Sequence, residues 1–333
     1  MAATLVNIVR FHEIGGPEVL RFDELPLPEP GPGEARLRVK AIGLNRAEVM
    51  FRNDRYLVSP KLPSKLGHEA SGIVEAVGPG VDPSLLGKIR STVPGFPADQ
   101  YGVYGEVAIV PVSALAAYPE ALSFEQGTSI WMQYLTAYGA LIHHGRLRSG
   151  DFVVITAASS SVGIAAIEIT LAEGAIPIAV TRTIAKKAAL LEAGAKHVIV
   201  SSQEDVAARV LEITGGSGAR LLFDPIGGPE VEKLATAAAR GGILFLYGAL
   251  SPDPTPFPLF TALSKGLEIR GYTLIELDEP EVQATARQYV YDRLASGQLN
   301  PRIDRVFPYL EIAEAQRYME QGDQIGKIVV KLD

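Results

Sequence analysis

The stretch DFVVITAASSSVGIAAIEITLAEGAIPIAVTRT, residues 151–183, decides how this chain folds. It opens with the β-branched and aromatic run Phe152–Ile155 and crosses a cluster of small residues. An apolar segment of helical length and a second β-branched run follow. Short apolar strands separated by helices of about ten residues are the mark of βαβ units, whose parallel strands are buried on both faces. The pattern carries on downstream. AKKAALLEAGA (185–195) reads as a helix, KHVIV (196–200) as a strand and EDVAARVLEITGG (204–216) as a helix. RLLFDPIGG (220–228) is a strand and turn, PEVEKLATAAARGG (229–242) a helix, and ILFLYGA (243–249) a strand. Such alternation predicts an α/β region built on a doubly wound parallel sheet.

Upstream the chain is β-rich. LRFDELPLPEPGPGEARLRVKAIGLN (20–45) contains two extended segments around a Pro/Gly-rich turn, and ASGIVEAVG (70–78) and YGEVAIVP (104–111) are further strands. After about residue 272 the texture is mixed, ending in the helix EIAEAQRYMEQGD and the strand GKIVVKL. The expected domains are 1–125, 126–272 and 273–333, the last returning to the first.

The 333 residues are 47% hydrophobic and 21% charged, the balance of a soluble globular protein. A net charge of −7 argues against nonspecific nucleic-acid binding. No apolar run approaches the roughly 18 residues of a membrane span, and the first residues lack the pattern of a signal peptide. The chain has no cysteine, which excludes disulfides and thiolate metal sites and permits a cytoplasmic location.

Laid on the pattern G-x-G-x-x-G, the turn after the first strand reads Ala158, Ser159, Ser160, Ser161, Val162, Gly163, so only the third glycine survives. That glycine permits close packing of helix on strand. Small serines still let the backbone approach a pyrophosphate, and the helix N-terminus supplies N–H donors and partial positive charge. Ser160, Ser161 and Val162 are therefore candidate phosphate contacts; the other reading is a capped helix without a ligand. About 20 residues on, a protein that selects NAD places an acid for the ribose hydroxyl. Here no acid lies between Pro177 and Leu191. Thr181, Arg182 and Lys186 occupy that strand end, and a guanidinium beside an ammonium suits a 2′-phosphate. The expected cofactor is NADPH.

A third stretch, GHEASGIVEAVGPGV (67–81), together with TAYGAL (136–141) and the order of parts, gives an end-to-end resemblance to the medium-chain dehydrogenase/reductase superfamily. Within it the chain resembles the zinc-independent quinone oxidoreductase and enoyl reductase branch. That resemblance implies a GroES-like catalytic domain, a Rossmann domain, a cleft between them and a homodimer. In zinc-bearing members two cysteines accompany the His of the GHE segment. The matching positions here are Asn45 and Met132, and His68 with Glu69 does not complete a three-ligand site. No zinc is expected, and His68 is expected to be satisfied by ordinary hydrogen bonds.

The resemblance further implies that Asn45 points its amide at the nicotinamide or substrate, and that Thr136, Tyr247, Gly248 and Ser201 border the cofactor. Tyr56 lies eight residues after Glu48 in Asn45-Arg46-Ala47-Glu48, the place of a proton-donating Tyr in the enoyl reductases. The expected activity is metal-independent reduction of quinones or α,β-unsaturated carbonyl compounds in the interdomain cleft. The alternatives are an enoyl thioester reductase, for which Arg46, Arg52, Lys61 and Lys65 would form a basic patch, a zinc alcohol dehydrogenase, and an NADPH-binding protein without turnover.

Overall fold

In the computed structural model, which describes residues 4–333, the βαβ region becomes one six-stranded sheet. Its strands are Phe152–Ile155 (β1), Ile176–Thr181 (β2), His197–Val200 (β3), Ala219–Asp224 (β4), Ala238–Leu246 (β5) and Glu268–Gly271 (β6). Every pairing is parallel and the spatial order is β3-β2-β1-β4-β5-β6. This is the doubly wound Rossmann arrangement, with the order reversing between β1 and β4. Val154, Ile178, Ile199, Leu222 and Leu244 form the inner face of its core. A fully buried aliphatic side chain of this kind contributes about 1.5–3 kcal/mol.

The expected helix over 229–242 is shorter in the structure. It ends at Thr236, and Ala238 already pairs with Ala219 as the start of β5. The register then slips until Leu221 meets Ile243, so residues 239–242 form a bulge. Gly241, at a φ of 65°, adopts a conformation that a helix cannot continue through.

By their internal contacts the residues group into two units. One runs to Met132 and resumes at Pro301–Asp333; the other is Gln133–Asn300. The sequence changes texture near 125 and 272, whereas the contact units change after 132 and 300. The long helix Pro280–Ala295 therefore counts with the second unit. The first unit is built on a mixed sheet in which Glu34–Gly43 is central. Glu69–Val77, Val107–Pro111 and Lys327–Lys331 all pair with that strand in antiparallel fashion. A separate hairpin joins Leu5–Phe11 to Leu20–Pro26. Leu37, Ile42, Leu66, Val110, Ile328 and Val330 lie in its core.

The helix Ser161–Ala172 that follows β1 is apolar on nearly every side, because it packs onto the sheet. Its one acid, Glu168, accepts hydrogen bonds from the Tyr134 hydroxyl (2.6 Å) and the Asn300 N–H (3.4 Å). Burial outweighs these donors and pushes the Glu168 carboxyl up to about 7 from its ordinary 4.5. Between those two values the folded chain retains a proton that the unfolded chain has released, so this group's contribution falls as pH rises through the interval. Glu168→Gln should therefore match the wild type in stability near pH 4.5 and exceed it by about 1–3 kcal/mol at pH 8. Urea unfolding at the two pH values measures this, and equal stability at pH 8 would refute it.

Candidate functional site

The turn after β1 is shaped by side chains of little bulk. Ala157 sits at a φ of 44°, which bends the chain out of the strand. The Ser160 hydroxyl then caps the helix by accepting the Gly163 N–H at 3.1 Å. A side chain at Gly163 would place its Cβ 2.6 Å from Ala158 Cα, so the third glycine of the pattern is required by close packing. Ser161 and Val162 are the first residues of the helix, where N–H groups lack intrahelical acceptors. The turn is bound to the second strand by the Ala158 N–H, which donates to the Val180 carbonyl at 3.2 Å.

Cationic groups gather at that strand end. Lys186 Nζ donates to Ser159 Oγ at 3.1 Å, bringing an ammonium onto the turn itself. Arg182 is exposed and has no carboxylate or hydrogen-bond partner among the described residues. The buried Thr181 accepts the Ser201 N–H at 2.9 Å through its carbonyl, so the ends of β2 and β3 lie side by side. Thr136 is buried on the helix Trp131–Tyr138, whose Tyr134 is tied to Glu168 of the turn's own helix.

On the other side of β1, a residue that the sequence reading passed over organises the edge. Asp224, the last residue of β4, is buried; its carboxylate accepts from the Thr156 hydroxyl and from the Gly227 N–H at 2.7 Å. Burial pushes its carboxyl upward. The Asp224 carbonyl accepts the Tyr247 N–H, and the Tyr247 ring stacks on Phe223 at 3.9 Å. The Tyr247 hydroxyl is buried without a hydrogen-bond partner among the described residues, and burial drives its pKa well upward. At Gly248 a Cβ would lie 2.6 Å from the Pro225 carbonyl oxygen, so the two loops approach too closely for a side chain there. The signal for Asp224 was present in LLFDPIGG, an acid between a strand and a glycine turn. An edge with an unpaired guanidinium, open helical N–H groups and an orphaned phenol fits an anionic dinucleotide carrying an extra phosphate.

The first unit holds a second polar cluster. Asn45 begins the helix Arg46–Arg52, and the Glu48 carboxylate accepts its N–H at 2.9 Å. Glu48 also accepts the His68 N–H at 3.1 Å and the Tyr104 hydroxyl at 2.6 Å. Glu69 accepts from Asn45 Nδ2 (3.2 Å), the Met132 N–H (2.8 Å) and Lys327 Nζ (2.5 Å). The ammonium donates to Asn45 Oδ1 as well, at 2.7 Å. Asn45 thus turns its amide into this network. His68 departs from expectation: its backbone N–H is bonded, but its ring Nδ1 is buried, 3.8 Å from Glu48, without a hydrogen-bond partner among the described residues.

Asn45, His68 and Met132 are linked through the carboxylates of Glu48 and Glu69, but their side chains do not fit a zinc ion. An amide and a thioether replace the two thiolates, and an ammonium adjoins the carboxylate that could have helped. Tyr56 lies beyond the helix on the loop 53–64; its ring is 40% exposed, and nearby protein raises its phenol above the usual value near 10. Of the residues read as a basic patch, Arg46 and Lys61 are exposed and Lys65 is half-buried, while Arg52 is withdrawn from it. Arg52 is buried and paired with Glu320, Arg46 donates to the Met319 carbonyl, and Lys65 donates to the Gln100 carbonyl.

Residues 31–120 match the alcohol dehydrogenase GroES-like domain, and residues 161–290 match the zinc-binding dehydrogenase family. A quinone oxidoreductase of Pseudomonas aeruginosa is 31% identical, over 97% of this chain and 98% of its own. The structure of Escherichia coli quinone oxidoreductase complexed with NADPH superposes with a TM-score of 0.91 at 28% identity, covering 98% of this chain and all of that one. An NAD-dependent alcohol dehydrogenase superposes with a TM-score of 0.90 at 31% identity, with the same coverage. By these similarities the chain is an oxidoreductase and belongs to the quinone oxidoreductase branch of the medium-chain dehydrogenase/reductase superfamily.

Proposed function

We propose that this protein reduces quinones or α,β-unsaturated carbonyl compounds with NADPH and without a metal. The observation that carries the reading is the cationic strand end: Arg182 unpaired, Lys186 held on the phosphate turn by Ser159, and no acid between Pro177 and Leu191. The NADPH complex of the Escherichia coli relative supports it. Arg182→Ala should weaken NADPH binding about 10- to 100-fold and leave NADH binding nearly unchanged, since only the 2′-phosphate loses its guanidinium. Fluorescence titration of both nucleotides checks this. Equal loss for both, or tighter binding of NADH by the unaltered protein, would favour the NAD-dependent alternative.

In this proposal Ser161 and Val162 offer N–H groups to the pyrophosphate, and Arg182 and Lys186 hold the ribose phosphate. Thr136, Ser201, Tyr247 and Gly248 border the rest of the cofactor. Bound there, the nicotinamide supplies a hydride. Hydride addition to the β-carbon of an enone places negative charge on the carbonyl oxygen, and the Tyr56 phenol, protonated at neutral pH, serves as donor to it. Leu57, Val58 and Leu62, all exposed on the same loop, give it an apolar surroundings suited to such acceptors. Tyr56→Phe should lower enone reduction about 100-fold while changing 1,4-benzoquinone reduction severalfold at most. Steady-state NADPH oxidation with both acceptors measures it, and equal losses would remove Tyr56 from the donor role. For the thioester alternative Arg52 adds nothing to a basic patch, because it lies inside the fold, and only Arg46, Lys61 and Lys65 are left for it.

A homodimer belongs to the same proposal. Among the described residues the outer edge of β6 is unpaired, and the neighbouring segment exposes Phe257, Leu259, Phe260 and Leu263, with Phe260 84% exposed. Phe260→Asp should convert the dimer to a monomer in sedimentation velocity; an unaltered dimer would show that another surface is used. We place the protein in the cytoplasm, with which its cysteine-free composition agrees; none of its described helices is long and apolar enough to cross a membrane.

A further inference from the structure

We propose that Glu168 is a clasp on the second unit and a positioning residue for its cofactor edge. Through one carboxyl oxygen it ties together the two places where the chain enters and leaves that unit, and it thereby holds the helix that carries Thr136. Its effect on the cofactor rests on the NADPH reading above.

The second unit begins at Gln133 and ends at Asn300. Tyr134, its second residue, is wholly buried, and the phenol donates to Glu168 Oε2 at 2.6 Å. Asn300, its last residue, donates its N–H to the same oxygen at 3.4 Å. These partners stand 34 and 132 positions from Glu168 in the chain, so no local pattern brings the three together.

The entry helix Trp131–Tyr138 is held at two points. One is the Tyr134 bond. At the other, the Tyr272 hydroxyl donates to the Leu135 carbonyl at 3.4 Å and lies so near Gly139 that a Cβ there would come within 1.9 Å of it. Thr136 sits between Tyr134 and Gly139. Glu168 in turn lies about 10 Å, two turns, along the helix that opens with the free N–H groups of Ser161 and Val162. One rigid helix thus carries both those N–H groups and the clasp, so releasing the clasp alters where Thr136 stands relative to the phosphate turn.

A clasp made by a carboxyl responds to protons. Glu168 is the one charged residue on its own helix, and Trp131–Tyr138 carries none. Tyr138, one turn beyond Tyr134, packs on Tyr289 with ring centroids 4.8 Å apart. Glu173, past the helix end, is taken by the Tyr289 hydroxyl and Arg293. Along the exit segment the first charge is Arg302, two residues past Asn300. Burial raises the closed carboxyl to about 7 against the pull of its two donors, whereas an opened, hydrated one has the ordinary 4.5. Between those values the closed clasp keeps a proton that the open one has lost. Closure is therefore favoured most at acid pH and weakens as pH rises through the interval.

Trp131, three residues before Tyr134 on the same helix and 1% exposed, is the only tryptophan of the sequence, so its emission reports on the clasp without any nucleotide. In the wild type that emission should step to longer wavelength between pH 5.5 and 8.5. Glu168→Gln keeps an acceptor oxygen for both donors and cannot ionise, so its emission should stay at the acid-pH position throughout. Tyr134→Phe leaves the carboxyl one donor and should show the alkaline emission already at pH 6. NADPH titrations at pH 6 and 8.5 give the second readout. The wild-type dissociation constant should rise about fivefold relative to that of Glu168→Gln, the titration of the nucleotide's own phosphate being common to both. A wild-type emission without a step, a step retained by Glu168→Gln, or Tyr134→Phe matching the wild type at pH 6 overturns the clasp. So does a ratio of dissociation constants that stays fixed while the emission steps. Failure of the broader functional reading looks different: the wild type would not bind NADPH at either pH, while the emission still stepped and Glu168→Gln still abolished the step.

Discussion

All six strands of the second unit run in one direction, so their C-terminal ends open on a single edge of the sheet. Between β1 and β4 the chain leaves that edge toward opposite sides, and the backbone separates there. The polar residues of the edge answer this constraint. Thr156 and Tyr247 are both tied to Asp224 across the separation, one by its hydroxyl and the other by its N–H. Ala158 joins the turn to Val180 on the remaining side. The edge is thereby fixed before any ligand arrives, which lowers the ordering cost of binding a long flexible dinucleotide.

The first unit meets a different demand. Two carboxylates, Glu48 and Glu69, lie inside it, and they accept four and three hydrogen bonds respectively. Ion pairs on a protein surface contribute little, but a buried pair that loses one partner leaves an uncompensated charge. The cluster is also where chain segments far apart in sequence meet: Asn45, Glu69, Met132 and Lys327 are joined by four hydrogen bonds. Its value lies as much in fixing that meeting as in net stability, since exchanging such a group for apolar residues is often thermodynamically neutral.

Where the sequence was legible, one residue sufficed for each conclusion. Gly163 announced the close approach of helix and strand, and Ser160 the cap. Other features needed contacts that no local pattern encodes. Arg52 read as a surface cation on a short helix, yet Glu320, 268 residues away, draws it inside. The run TAAAR read as helix by propensity, and a strand partner at Ala219 claimed Ala238 instead. His68 read as a residue satisfied by hydrogen bonds, and its ring nitrogen is buried without one among the described residues.

The sequence by itself determined the parallel sheet and the capped turn after its first strand, because each depends on residue types within a window of about 30 positions, and the lack of any cysteine excludes thiolate ligands. Tertiary structure alone decided that Asp224 organises the sheet edge and that Lys327 faces Asn45 and Glu69. The physical reason is that burial and charge pairing are set by strand register and by packing between distant segments. A lysine at the start of GKIVVKL looks like any surface lysine until the strand Glu34–Gly43 is laid beside it.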